Sequence, residues 1–222
     1  MNKQPINKDV TEKDLEEINK SFLELENKIK DVCKLIFSQE KEQSKFFKSS
    51  HYILSIANRA ISLNRGFLTL TQVNNYSTAI SLIRLQVDSC LRLFALTLVD
   101  DWPSFYKDVV SGKEIRNLKD RYGNKMIDSY LVDKYDKIDN GFKLLYKNTC
   151  GFVHFSNAHI KLNTKTKDET EDTFRMQVSV GDVDQLEVYE KVDYGFNMFM
   201  VGKSIYKQIK SYQKAMKEHW LN

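Results

Sequence analysis

The residues with the clearest chemical potential lie between Tyr146 and Ser156, where the chain reads YKNTCGFVHFS. His154, one of four histidines, comes seven positions after Lys147 and six after Asn148. An imidazole can give or take a proton near neutral pH, and a cation and an amide beside it suit a phosphodiester. On a continuous helix, Lys147 and His154 would share a face two turns apart. We therefore predict His154, Lys147 and Asn148 as catalytic candidates.

Two other interpretations of this segment stay open. His154 could cap the helix by bonding a backbone carbonyl, with Lys147 in solvent. Cys150 could instead act as a nucleophile with His154 as its base. Gly151 lies between them and would leave room for a ligand or for a neighbouring helix. Geometry is needed to choose among these.

A second candidate is the ladder of Arg84, Asp88 and Arg92 at successive steps of four. Residues so spaced share one face of a helix, which places the acid between two guanidinium groups. The triad leaves one positive charge unmatched, so a further anion is expected. That anion is either an acid from another helix, in a structural network, or a phosphate held by Arg84 or Arg92.

The last helical segment carries a basic row that alternates steps of four and three. An apolar row of Met198, Ile205, Ile209, Tyr212 and Met216 falls on its other side. A lysine-rich face is usually a solvated face, but it can also contact a phosphate backbone without reading sequence. The lysines predicted to contact RNA are Lys203, Lys207, Lys210, Lys214 and Lys217.

Composition excludes several classes of protein. A net charge of +4 permits polyanion binding without demanding it. The three cysteines form no CxxC pair and the histidines show no HxxxH spacing, so we predict no metal and no other cofactor. The first residues contain no apolar run, and the longest apolar stretch, 93–99, is too short to span a bilayer. These features predict a reduced, cytoplasmic protein without membrane contact.

The hydrophobic pattern predicts a mainly α fold in one domain, 1–222. Thr11 begins a long amphipathic helix over 11–42, and further helices follow over about 46–73 and 77–99, with core helices and the candidate site within 77–157. The first helix has one apolar row that packs either within the domain or against a second copy. Its members are Leu15, Ile18, Phe22, Leu25, Ile29, Val32 and Ile36.

Alternating residues over 158–181 predict a β-hairpin with one buried face, inserted before the C-terminal helix. Its apolar positions are Ile160, Leu162, Phe174, Met176, Val178 and Val180, and its charged tip is 167–172. A capping-box pattern at 184–187 then opens the final helix over 184–220. A polar region, 105–120, separates the third helix from later helical patterns near 125 and over 139–155.

The order of these elements resembles the HEPN (higher eukaryotes and prokaryotes nucleotide-binding) superfamily. The segments that carry the resemblance are RLQVDSCLR, 84–92, and KNTCGFVHFS, 147–156. The resemblance implies an HEPN-like helical bundle and metal-independent RNA cleavage in a cleft formed by a homodimer, in a toxin or phage-defence setting. His154 would take part in proton transfer or position the RNA. Lys147 stands where the family has arginine, which keeps the charge but loses the planar two-point grip.

Three functions therefore compete. The first is binding or cleavage of RNA by an HEPN-like protein. The second is a non-catalytic module that dimerises or binds a partner protein through the first helix. The third is an enzyme acting on a small nucleotide, with Arg84 or Arg92 on the phosphate.

Overall fold

The computed structural model describes residues 10–169, 174–181 and 186–221. Within these ranges the chain forms helices, one 3-10 turn at Ile115–Asn117 and one antiparallel hairpin. The helices are α1 Glu12–Glu42, α2 Lys48–Gln72, α3 Tyr76–Leu96, α4 Trp102–Val110, α5 Asp128–Tyr135, α6 Phe142–Cys150, α7 Asn157–Leu162 and α8 Val188–Leu221, and the strands are β1 Thr164–Glu169 and β2 Phe174–Val178. The prediction of a mainly helical fold with a hairpin before the last helix is confirmed. No helix in the described ranges has the length and apolarity to cross a membrane.

The first helix starts where the sequence predicts. The carboxylate of Asp14 accepts hydrogen bonds from the backbone N–H of Thr11 at 2.7 Å and from its hydroxyl at 2.8 Å. These bonds occupy polar groups that have no partner within the helix itself. The predicted capping box is therefore present at the start of α1.

The core lies where α1, α2, α3 and α8 pack together. The apolar row of α1 faces α8 and is buried from Phe22 to Ile36, with Ile29 wholly inaccessible. This buried part of the row packs within the chain. The third helix is the central element, and Ile83, Val87 and Leu91 on it are also inaccessible.

A charged group that the sequence did not single out lies inside α1. Glu26 is 6% exposed. Its carboxylate accepts a hydrogen bond from Arg65 Nε on α2 at 2.9 Å and also contacts Lys30 one turn along α1. The hydrogen bond from Arg65, with further help from Lys30, lowers the pKa of Glu26 to about 2. Two cations thus keep a nearly buried acid ionised.

The polar region after α3 contains a helix that the sequence reading missed. The helix α4 begins at Trp102 and carries Pro103 in its first turn. Proline is tolerated there because the first backbone N–H groups of a helix have no internal acceptor. Asp101 caps the helix by accepting the N–H of Ser104 at 2.9 Å.

The hairpin differs from the prediction in two ways. Ile160 and Leu162 belong to α7 and not to a strand. The strands pair in antiparallel order, with Thr164 opposite Val178. Their apolar side is exposed, reaching 57% at Val178, so the prediction of a buried face is wrong.

Two parts of the predicted pattern fall outside the described residues. The tip of the hairpin, predicted over 167–172, is described only to Glu169, where it still belongs to β1. Of the capping box at 184–187, the first two positions lie outside the described part of the chain. The final helix begins at Val188, and Glu190 accepts the N–H of Glu187 at 2.9 Å.

Candidate nucleic-acid interface

His154 lies in a connection between helices, not on a helix. The helix α6 ends at Cys150, the next three residues form a turn, and α7 begins at Asn157. A Cβ added at Gly151 would lie 2.9 Å from the hydroxyl oxygen of Ser156, so a larger residue would displace that side chain. That hydroxyl donates to the carbonyl of Gly151 at 2.7 Å. The prediction of one helix over 139–155 is wrong, and with it the shared face of Lys147 and His154.

The surroundings of His154 are open. Its side chain is exposed, as are those of Lys147 and Asn148. Within the part of the chain that the structure describes, no hydrogen bond or ion pair holds the His154 ring. A catalytic imidazole is normally oriented by a partner on its second nitrogen, and this one has none there. The neighbouring Phe155 is 84% exposed and stacks on His159 with ring centroids 5.8 Å apart.

The arginine ladder on α3 is completed by an acid from another helix. Asp128, the first residue of α5, lies 2.7 Å from Arg92 Nη2 and 3.3 Å from Arg84 Nη2. Arg92 also pairs with Asp88 at 2.9 Å. The guanidinium of Arg84 stacks over the Tyr146 ring, 4.2 Å from its centroid, and donates to its hydroxyl at 3.0 Å. These are the contacts of a structural network.

Carboxylates in this network neutralise most of the positive charge of its arginines, so little of that charge is available to an anionic ligand. Burial acts to raise the pKa of Asp128, but the charges of Arg92 and Arg84 outweigh it and lower that pKa below its usual value. Asp128 thus stays ionised, and together with Asp88 it pairs with Arg84 and Arg92. A third, Arg59, approaches Asp88 at only 3.9 Å and is half exposed. The buried Nη1 of Arg92 has no partner among the described residues.

The predicted lysine row on α8 is exposed along its whole length. Lys203, Lys207, Lys210, Lys214 and Lys217 all have exposed side chains, and none forms an ion pair within the described residues. At about 100° per residue these positions stay within roughly 40° of one direction, over about 21 Å of helix. The opposite side, from Met198 to Met216, is buried as predicted. We call this row the lysine stripe.

A cleft that the sequence did not predict opens beside the lysine stripe. It has a volume of about 470 Å³ and is lined by residues of several helices, including Trp102, Tyr135, Gln208 and Tyr212. Lys207 of the stripe lies on its wall. A second cleft of about 600 Å³ shares Trp102 and Tyr212 with the first. One sequence signal for the first cleft is that Gln208, Ser211 and Ala215, which are neither lysines nor large apolar residues, lie between the lysine and apolar sides of α8.

No family model, curated protein or solved structure matches this chain in the three comparisons with known proteins. Any function must therefore be argued from the geometry above and from the resemblance in the sequence. Among the described residues, no three histidine, cysteine or acidic side chains come together as metal ligands would.

Proposed function

We propose that this protein binds RNA through its phosphate backbone, along the lysine stripe of α8. The observation that carries the proposal is the row of exposed lysines, free of ion pairs among the described residues, which recurs roughly every 5 Å along the helix. Each lysine that meets a phosphate releases a condensed counterion, which favours binding at low salt. The mild net charge of +4 supports this role because part of it is concentrated on one face.

The choice of RNA rests on the HEPN resemblance of segments 84–92 and 147–156. Under that assignment the protein would be an HEPN-like module, with a toxin or phage-defence setting as its context. Binding without cleavage is favoured over catalysis, because the acids of the network neutralise Arg84 and Arg92. The departure of Lys147 from the family's arginine weighs in the same direction.

The proposal predicts that changing Lys207, Lys210 and Lys214 together to glutamine weakens RNA binding. Glutamine keeps the helix propensity of lysine and removes only the charge. Binding to a single-stranded RNA is measured by fluorescence anisotropy over a series of salt concentrations. We expect the slope of log K against log salt to become shallower by about two, since each lost contact removes about 0.7.

The matched control changes three exposed lysines on other helices and loops, Lys20, Lys107 and Lys137, to glutamine. This variant has the same net charge as the first, so any difference between them reports position. Equal affinities and equal slopes for the two variants would contradict the proposal. Melting temperatures of both variants establish that they are folded.

RNA cleavage by His154 is the second candidate function, and the exposed imidazole is the observation in its favour. We expect the wild-type protein and His154→Ala to leave RNA equally intact, because no described group orients the ring. Gel analysis of labelled RNA after long incubation without metal is the measurement. Cleavage by the wild type that His154→Ala abolishes would establish catalysis and overturn this expectation.

A further inference from the structure

The 470 Å³ cleft lies directly on the flank of the lysine stripe. Lys207 belongs to both, and Gln208, Ser211 and Ala215 follow around α8 toward its buried side. On a helical wheel these three positions lie about 80–140° from Lys203, next to the stripe. A polymer whose backbone runs along the stripe therefore passes the mouth of the cleft.

The cleft has aromatic walls that are fixed in place. Trp102 donates its Nε1–H to the carbonyl of Val99 at 3.2 Å. The hydroxyl of Tyr212 is bonded to those of Ser49 and Ser50, each at 2.8 Å. The centroids of the Trp102 and Tyr212 rings lie 5.8 Å apart and the ring planes are tilted by 42°, so the two rings adjoin in one wall of the cleft. A volume of about 470 Å³ lies within the usual range for small-molecule sites and has room for a planar ring.

Gln208 lies on the wall of the same cleft. Gln208 holds its amide nitrogen 3.2 Å from Cys90 Sγ and 3.3 Å from the Tyr135 hydroxyl. Its Oε1 is buried, so the amide is held in the wall of the cleft and the contact it offers a ligand is not a free acceptor. Nucleobases supply a flat face that can stack on the aromatic part of this wall.

We propose that this cleft receives one unstacked base of a single-stranded RNA whose backbone lies along the lysine stripe. The proposal rests on the proposed function and adds to it a preference for single strands over duplexes. Phosphate contacts from Lys207 position the strand, and stacking on Trp102 and Tyr212 holds the base. Because every base offers a stacking face, the preference is for an unpaired base and not for a sequence.

Trp102 makes the proposal directly measurable. The sequence has two tryptophans, so Trp220→Phe leaves Trp102 as the sole tryptophan, which excitation at about 295 nm selects over the tyrosines. This protein is titrated with two single-stranded oligomers of equal length, one carrying adenine bases and one fully abasic. We expect the adenine oligomer to quench Trp102 and to bind roughly tenfold more tightly than the abasic one. Equal affinity for the two oligomers without quenching would overturn the proposal.

A blocking variant tests the position of the base. Ser211 is exposed on the cleft wall, and Ser211→Phe fills space at its mouth. We expect this variant to bind the adenine oligomer only as well as the abasic one, with the salt slope unchanged. Ser38→Phe, at an exposed position on α1 that lines neither cleft, is the matched control and should behave as wild type. An unaltered base preference in a folded Ser211→Phe protein would place the base elsewhere.

The experiments distinguish failure of RNA binding along the lysine stripe from failure of base binding in the cleft. If the lysine variants bind RNA as the wild type does, the proposed function fails. Titration with adenosine monophosphate then reports on the cleft alone, since a free nucleotide does not need the stripe. Saturable quenching of Trp102 would support the cleft as a base site, and its absence would overturn the inference as well.

Discussion

At the scale of single residues, the local spacing of charged side chains shows that a partner of opposite charge is required, but it does not identify that partner. The spacing of Arg84, Asp88 and Arg92 predicted that another anion must join them. The anion is Asp128, 36 positions after Arg92 and on another helix, and no local pattern links the two. Glu26 is a similar case, because its partner Arg65 lies 39 positions away on α2. Tertiary packing chooses such partners.

Glu26 gives a prediction for the pH dependence of stability. Its pKa falls from 4.5 to about 2 on folding, so the unfolded chain takes up the proton more readily. The stabilisation is therefore present above about pH 4.5 and is lost as the pH falls toward 2. We expect Glu26→Gln to lower the free energy of unfolding by about 1–2 kcal/mol at pH 7. The deficit should shrink as the pH falls through this window, which urea denaturation at several pH values measures.

The control for that experiment is Glu24→Gln. Glu24 is exposed on the same helix and pairs with Lys28 at 3.8 Å, so the charge change is identical while the burial differs. An exposed pair of this kind contributes little. A deficit of equal size in both variants would show that the burial of Glu26 is unimportant. A deficit that grows as the pH falls would contradict the lowered pKa of Glu26.

At the scale of elements, the long helices were predictable and the short ones were not. A repeat of apolar positions over many turns, as in α1, α3 and α8, has one structural solution. The turn after Cys150 was missed because Phe152 and Val153 continue the apolar pattern beyond the true end of α6. The signal for that end was Gly151 with Ser156, whose hydroxyl donates to the Gly151 carbonyl. The α7 helix was missed because six residues fit a strand pattern as well as a helical one.

The apolar row of α1 gives a prediction at this scale. Ile29 is wholly buried against the chain's own core, so Ile29→Ala should lower the free energy of unfolding by about 2–4 kcal/mol. Leu23→Ala, on the exposed side of the same helix, should change it by less than about 0.5 kcal/mol. Thermal and urea denaturation measure both. If Ile29→Ala instead splits an oligomer with little loss of stability, as light scattering would show, the row is an interface between copies.

At the scale of the whole molecule, the sequence predicted which surfaces exist but not which ones adjoin. The lysine and apolar sides of α8 could be read from its spacing alone. The cleft could not, because α2, α3, α4, α5 and α8 each contribute only a few residues to it. The separation of His154 from the helix that carries Lys147 is likewise a property of the assembled fold. The proposed site is therefore the lysine stripe of α8 with the adjoining cleft, whereas the sequence pattern had favoured His154.

The pairing of α1 with α8 has a consequence for how the protein is made. About 150 residues separate the end of α1 from the start of α8. At ribosomal rates of about 5–20 residues per second, the apolar row of α1 remains without its contacts to α8 for on the order of ten seconds or more. During that interval Phe22 and Ile29 lack the part of their packing that α8 provides. The part of the core that α1 and α8 build together can therefore form only after translation delivers the last helix.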